Sequence, residues 1–173
     1  MDVATRPNKV LPGPPYPHFD VVGHLQFLLA ALARFHLDHG IDAIAITTHG
    51  ACGVLLARDG SLAAPVLDYE HDGPDSTAAA YDAIRPAFAD TGSPRLPGGL
   101  NLGAQIHWQF QVDPGLQDRV AHIVTYPQYW GYQLTGVLAT DMTSLGCHTD
   151  LWLPHAARFS GLADDLGIAA KIA

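Results

Sequence analysis

Three groups of residues have the types and spacing to do chemistry. The first is His49-Gly50, set between the apolar runs Ile44 to Ile46 and Val54 to Leu56. Asp42 to Thr48 reads as a buried strand and Gly53 to Arg58 as the next, closing on Asp59-Gly60, strong hairpin punctuation. A polar residue between two core strands sits at a strand end, where α/β proteins expose groups to a ligand; a turn with a solvated histidine is the plainer alternative. The second is Asp68-Tyr69-Glu70-His71-Asp72, delivered by a third apolar strand, Ala63 to Leu67. A carboxylate beside an aromatic ring can grip hydroxyls while the ring stacks on a sugar face, although acidic loops after strands are also ordinary solvated surface. The third is the set of ten histidines, which raises a metal-dependent hydrolase using His49, His71 and His148 with Glu70 or Asp150. No histidine pair has a recognisable metal-motif spacing, and His36 and His39 suit a helix C-terminus; no metal site is assigned.

These groups must be held by an α/β framework. The chain has 173 residues, 48% of them hydrophobic, enough for one domain with a sizeable core. A formal charge of −8 with only nine Lys and Arg argues against nucleic acid as a partner and favours small molecules. Two cysteines, Cys52 and Cys147, no signal peptide and no membrane-length apolar run point to a reducing cytoplasm, with no membrane partner.

Taken in order, Asp2 to Thr5 reads as a short strand leading into a rigid loop, Pro12 to Pro17. Asp20 suits an N-cap. From it Leu25, Leu28, Leu29, Leu32 and Phe35 keep a helical period until Gly40, predicting an amphipathic helix that covers the sheet. Pro74 starts a helix through Tyr81 and Ile84, and Phe88 to Gly103 is a Gly/Pro-rich loop of functional length. Leu102 to Phe110 resumes a helical period. Ala121 to Thr125 is a strand, and Pro127 begins a helix ending at Thr135-Gly136. Its aromatic row, Tyr129, Trp130 and Tyr132, reads as core packing. A turn and short strand follow through Trp152, then a last helix, Ser160 to Leu166, stopped by Gly167.

The order of several motifs resembles one family. Thr48-His49-Gly50 precedes an apolar strand ending in Asp59-Gly60; Thr91-Gly92-Ser93-Pro94, Ile106-His107-Trp108, Tyr126-Pro127-Gln128-Tyr129-Trp130 with Leu134-Thr135-Gly136, Thr140-Asp141 and Asp150-Leu151 follow before Ser160. In this order they resemble the N-terminal domain of the FGGY carbohydrate kinases, most nearly those of rhamnulose and fuculose. The resemblance implies an α/β, ribonuclease H-like (actin-like ATPase) N-terminal domain, here incomplete, with a mixed sheet and flanking helices. Residues 1–173 are then a single partial domain on the sugar-binding side. It implies ATP-dependent phosphorylation of a ketose or deoxy-ketose hydroxyl, with ATP and Mg²⁺ as cofactors of the full-length family.

Position by position, His49 and Gly50 match one family substrate segment, Tyr69 and Glu70 another, and Trp108 the tryptophan of the helical signature. Gln105 stands where that signature usually has Lys, Gln109 where it has an aliphatic residue, and Cys52 where rhamnulose-type kinases usually have Asp. The family's Asp-x-Gly-Thr phosphate turn, catalytic aspartate and second ATPase domain have no counterpart here. No catalytic residue or ATP site is therefore assigned, and the chain is expected to be an inactive fragment. A stand-alone sugar-binding or regulatory module is the alternative. Two structural expectations follow: His49, Tyr69 and Glu70 converge at one cleft mouth, and Asp2 to Thr5 forms an unpaired sheet edge through which the chain dimerises or aggregates.

Overall fold

The computed structural model describes residues 2–173. A short antiparallel ribbon, β1 (Val10–Leu11) and β2 (His18–Phe19), brackets the proline loop. Helix α1 (Val21–His39) follows, its first turn capped by the Asp20 carboxylate, which accepts the Gly23 N–H at 3.0 Å. It stops at Gly40, whose φ of 75° suits glycine.

The organising ribbon is β3 (Gly53–Leu56) paired antiparallel with β4 (His122–Thr125). Side chains alternate across it. Val54, Leu56 and Val124 enter one core with Phe19, Tyr126 and Trp130; Leu55 and Ile123 enter another with Ile106, Leu116 and Leu151. Both ribbon edges are partly occupied. Leu62 bridges to Leu56, and Ile172 makes a parallel bridge to Ile123, so the sheet is mixed but very small.

A 3-10 turn (Gly73–Thr77), α2 (Ala78–Asp82) and α3 (Phe88–Thr91) lead through a glycine-rich loop to α4 (Leu102–Val112), buried from Leu102 to Gln109. After α5 (Leu116–Arg119) and β4 comes α6 (Tyr126–Thr135), ended by Gly136 at φ 74°. Then follow α7 (Met142–Leu145), the hairpin β5 (Trp152–Leu153) and β6 (Arg158–Phe159), and α8 (Gly161–Asp165).

Several expected strands do not form. Asp2 to Thr5 and Asp42 to Thr48 are unpaired, and Ala63 to Leu67 makes only isolated bridges, at Leu67 to His18 and beside it at Leu62 to Leu56. An extended segment becomes a strand only when its N–H and C=O groups meet a neighbour. Among the described residues, no main-chain group of 2–5 or 42–48 finds one. β3 pairs instead with β4, so the expected hairpin with the preceding run is absent, as is the strand edge at Asp2 to Thr5 on which dimerisation was expected. Helix α1 forms as expected but covers the sheet only at its start: Leu25 and Leu28 pack on the core, while Leu29 and Leu37 face solvent. No helix among the described residues is long and apolar enough to cross a membrane.

Candidate functional site

The loop between the unpaired run and β3 carries His49, and its close is a tight backbone feature: Ala51 holds φ 53°, left-handed for a non-glycine residue. The His49 ring is half-buried among three aromatic rings from three other segments. It stacks on Tyr126 at 5.1 Å and 29°, lies 4.8 Å from Tyr69, and 5.3 Å from Phe19. Each neighbour is tied down by its main chain. The Tyr126 N–H donates to the Cys52 carbonyl at 3.0 Å and the Phe19 N–H to the Val66 carbonyl at 2.9 Å, while the Asp68 N–H, beside Tyr69, donates to Pro17. Burial pushes the Tyr126 phenol well above its ordinary pKa, so it stays neutral.

His49 borders two cavities. One, of about 230 Å³, is walled by Gly50, Ala51 and Cys52 and by the hydroxyl-bearing Thr125, Thr143, Ser144 and Thr149. The other, of about 520 Å³, is mostly apolar, lined by Leu28, Leu32, Ile44, Ile46, Trp130 and Leu134 among others. Neither has an aspartate or glutamate in its lining. Cys52 at the first cavity is a buried thiol whose pKa is driven up by burial first and by the Asp68 charge second, which makes it inert.

The residues singled out in the sequence divide into two groups. His49, Gly50 and Tyr69 share one neighbourhood. Glu70 adjoins Tyr69 but is exposed: its N–H donates to the Asp68 carboxylate at 3.2 Å, and its own carboxylate has no partner among the described residues. Trp108 lies elsewhere, buried with Tyr16 at 5.5 Å and His71 at 5.3 Å, in a small cluster with Leu67.

Reading the sequence missed Phe19 and the role of Tyr126. Tyr126 follows β4 directly, a position that exposes a side chain at a strand end; nothing local marks Phe19. Reading the sequence also left the glutamines of α4 unexplained. The buried Gln109 amide donates to the Tyr16 hydroxyl at 2.7 Å, which donates to the Pro65 carbonyl at 2.9 Å, and burial pushes the Tyr16 pKa up to about 12.

The metal alternative loses Asp150, one of its two acidic candidates. Asp150 is fully buried; its carboxylate accepts from Tyr81 at 2.6 Å and from Arg85 at 2.9 and 3.3 Å. Its oxygens are committed. Among the described residues, the one group of three with metal-ligating atoms in reach is Asp2, Asp38 and His39, exposed and distinct from His49, His71 and His148.

No protein-family model matches the chain. A rhamnulokinase from Pectobacterium carotovorum subsp. carotovorum (strain PC1) is 32% identical over 160 residues, 86% of this chain and 32% of the relative. The crystal structure of a carbohydrate kinase from Novosphingobium aromaticivorans superposes with a TM-score of 0.89 at 40% identity, over 97% of this chain and 36% of that one. Xylulose kinase from Rhodospirillum rubrum superposes with a TM-score of 0.78 over 99% of this chain and 37% of its own; at 18% identity this shows the fold alone. That fold is the actin-like ATPase fold of sugar kinases, here a partial α/β domain with small sheets. The chain spans about a third of the length of the relatives it matches. By sequence and fold together, the chain resembles about a third of a carbohydrate kinase of the FGGY type.

Proposed function

We propose that residues 1–173 form the sugar-binding side of a kinase that transfers a phosphoryl group from ATP to a hydroxyl of a ketose or deoxy-ketose, and that this chain by itself binds the sugar without turning it over. One observation carries the reading: the His49 ring, seated among Tyr126, Tyr69 and Phe19, borders a small cavity rich in hydroxyls. Monosaccharides present C–H faces to aromatic rings and hydroxyls to polar groups; the cavity lining supplies the hydroxyls, and the His49 ring, held from behind by the three aromatic rings, supplies the flat face. About 230 Å³ is small beside ordinary ligand pockets and suits one monosaccharide. In this reading Tyr69 and Glu70 close the rim, with the free Glu70 carboxylate accepting from a sugar hydroxyl. Trp108 contributes packing beneath the Gly73 turn, where an added Cβ would sit 2.5 Å from its ring.

The same lining supports binding without catalysis. Phosphoryl transfer to an alcohol uses a base for the nucleophile and Mg²⁺ on the phosphates, and Mg²⁺ is held through carboxylates. No carboxylate lines either cavity at His49, and Asp150 is engaged by Arg85. The residues here do not fit an ATP–Mg²⁺ site, so other residues would bind the nucleotide.

Calorimetric titration of the chain with L-rhamnulose, D-xylulose and D-gluconate tests the reading. Saturable binding of a ketose without sugar-dependent ATP consumption is the expected result. Glu70→Ala should weaken that binding by roughly 1.5–3 kcal/mol, the range for a charge-assisted hydrogen bond. Binding of none of the three sugars would remove the sugar site, and sugar-dependent ATP consumption by this chain would overturn its assigned inactivity. The absence of a carboxylate at the cavity also favours a second reading, a sugar-binding or regulatory module. Assaying the polypeptide in its natural full length separates the two, since a module would bind the ketose and never phosphorylate it.

A further inference from the structure

Gln105 is 1% exposed on α4, and its side-chain amide donates to two main-chain carbonyls, those of Ala51 and Gly99. A carboxamide has two N–H donors, and both are used. The two acceptors belong to the two segments behind the rings of the candidate site. Ala51 closes the His49 turn in a left-handed conformation that a non-glycine residue keeps only when its surroundings hold it. Gly99 presses on the Tyr69 main chain: a Cβ there would lie 3.0 Å from the Tyr69 carbonyl oxygen. The helix that carries Gln105 is itself anchored. At its start the Leu102 N–H donates to His148 at 3.1 Å and the Gly103 N–H to Thr149 at 3.0 Å, and its side chains are buried through Gln109.

We infer that Gln105 is a positioning residue of the sugar site: by clamping the Ala51 and Gly99 carbonyls to α4, it sets the spacing of the His49 and Tyr69 rings and so the opening offered to a ketose. This rests on the sugar-binding reading. It goes beyond it in placing control of the opening in a residue that lines neither cavity at His49. Removing the donors strands two carbonyls and lets the two segments separate. Gln105→Met keeps length and bulk without donors. Gln105→Asn keeps the donors but is one methylene too short to reach both carbonyls, and serves if the methionine variant does not fold.

The imidazole C–H resonances of His49, assigned with His49→Gln, report the stack directly because Tyr126 and Tyr69 shift them by ring currents. Spectra and L-rhamnulose titrations of the 173-residue chain would be compared with Gln109→Met, a control one turn along the same helix whose wild-type amide holds Tyr16 instead. The expected result is that Gln105→Met and Gln105→Asn, still unfolding cooperatively, move the His49 signals toward those of an exposed histidine and weaken L-rhamnulose at least tenfold, while Gln109→Met leaves the signals in place. Unmoved His49 signals in a folded Gln105 variant would overturn the inference, as would an equal shift in Gln109→Met, which would indicate general loosening. Should the wild-type chain bind no sugar while the Gln105 variants still move His49, the clamp stands and the functional reading falls.

Discussion

Helices α1 and α4 teach opposite lessons about what a helical pattern means. The first is 19 residues long, regularly amphipathic and capped at both ends, yet Val21 is its one fully buried residue and Leu37 is 85% exposed. The second is 11 residues long, contains two glutamines and a histidine within its buried stretch, and is enclosed from Leu102 to Gln109. Apolar residues do not guarantee burial; they need a surface to cover. Polar residues do not prevent it when partners are at hand, as for Gln105 at Ala51 and Gly99 and Gln109 at Tyr16, although the buried His107 Nδ1 has none among the described residues. The stability of the domain should therefore be concentrated around α4, with α1 close to a passenger.

The sharpest way to break this contrast is the ion pair beside α4. Arg85→Leu leaves the Asp150 carboxylate enclosed with the Tyr81 hydroxyl but no cation, and loss of one partner of a buried pair costs about 3–5 kcal/mol. Urea unfolding should show that loss; a change under about 1 kcal/mol would mean that Asp150 can reach water or a proton, and that this wall is less rigid than described.

Ile106→Ala comes next, in the centre of α4 with no exposed surface. A cavity there should lower stability by about 2–5 kcal/mol, read from the denaturant midpoint at constant slope. A smaller effect would indicate that the core around α4 collapses to fill the space.

Acid should act in two separate pH windows. His107 on α4 is held below its ordinary pKa by burial, so its proton prefers the unfolded chain; its contribution is complete above about pH 6.5 and declines as the pH falls toward the folded value. His24, lowered chiefly by burial as well, adds the same sign. The Asp20 cap of α1 is held below the usual carboxylate range by the Arg6 bond first and the Gly23 N–H second. Its contribution persists above about pH 3.9 and is lost only as the pH falls through its lower folded value. Urea midpoints should thus fall between pH 7.5 and 5.5, with His24 on α1 and His107 on α4 both contributing, and a further loss of α1 helix ellipticity should follow below about pH 4. Asp20→Asn should remove the second change and His107→Gln should diminish the first.

The smallest effect belongs to the outer face of α1. Leu29→Lys and Leu37→Lys should each alter stability by no more than about 0.5 kcal/mol, as for other exposed positions. A larger loss, or a change in sedimentation, would show that in solution this face is covered by another molecule.

What could be read directly from the residues were features closed by nearby neighbours. The Asp20 cap and Gly40 stop of α1, the Pro127 start and Gly136 end of α6, the Gly167 stop after α8 and the periodicity of α4 involve groups a few positions apart, so residue type alone is nearly sufficient. The order of the chemical motifs also carried the resemblance to FGGY kinases, since motif order is a property of the chain. Partnerships between distant segments were decided by the tertiary structure. Whether Asp42 to Thr48 or His122 to Thr125 pairs with β3 depends on which of two extended, apolar segments can bury its side chains on both faces of the ribbon, and Val124 and Ile123 do so while Ile44 and Ile46 remain in solvent. The same holds at the site. His49 and Tyr69 could be picked out by type, but Phe19 and Tyr126 against the same ring, and the Gln105 amide joining the two segments behind it, arise from long-range hydrogen bonds and packing that form only once the ribbon and α4 are in place.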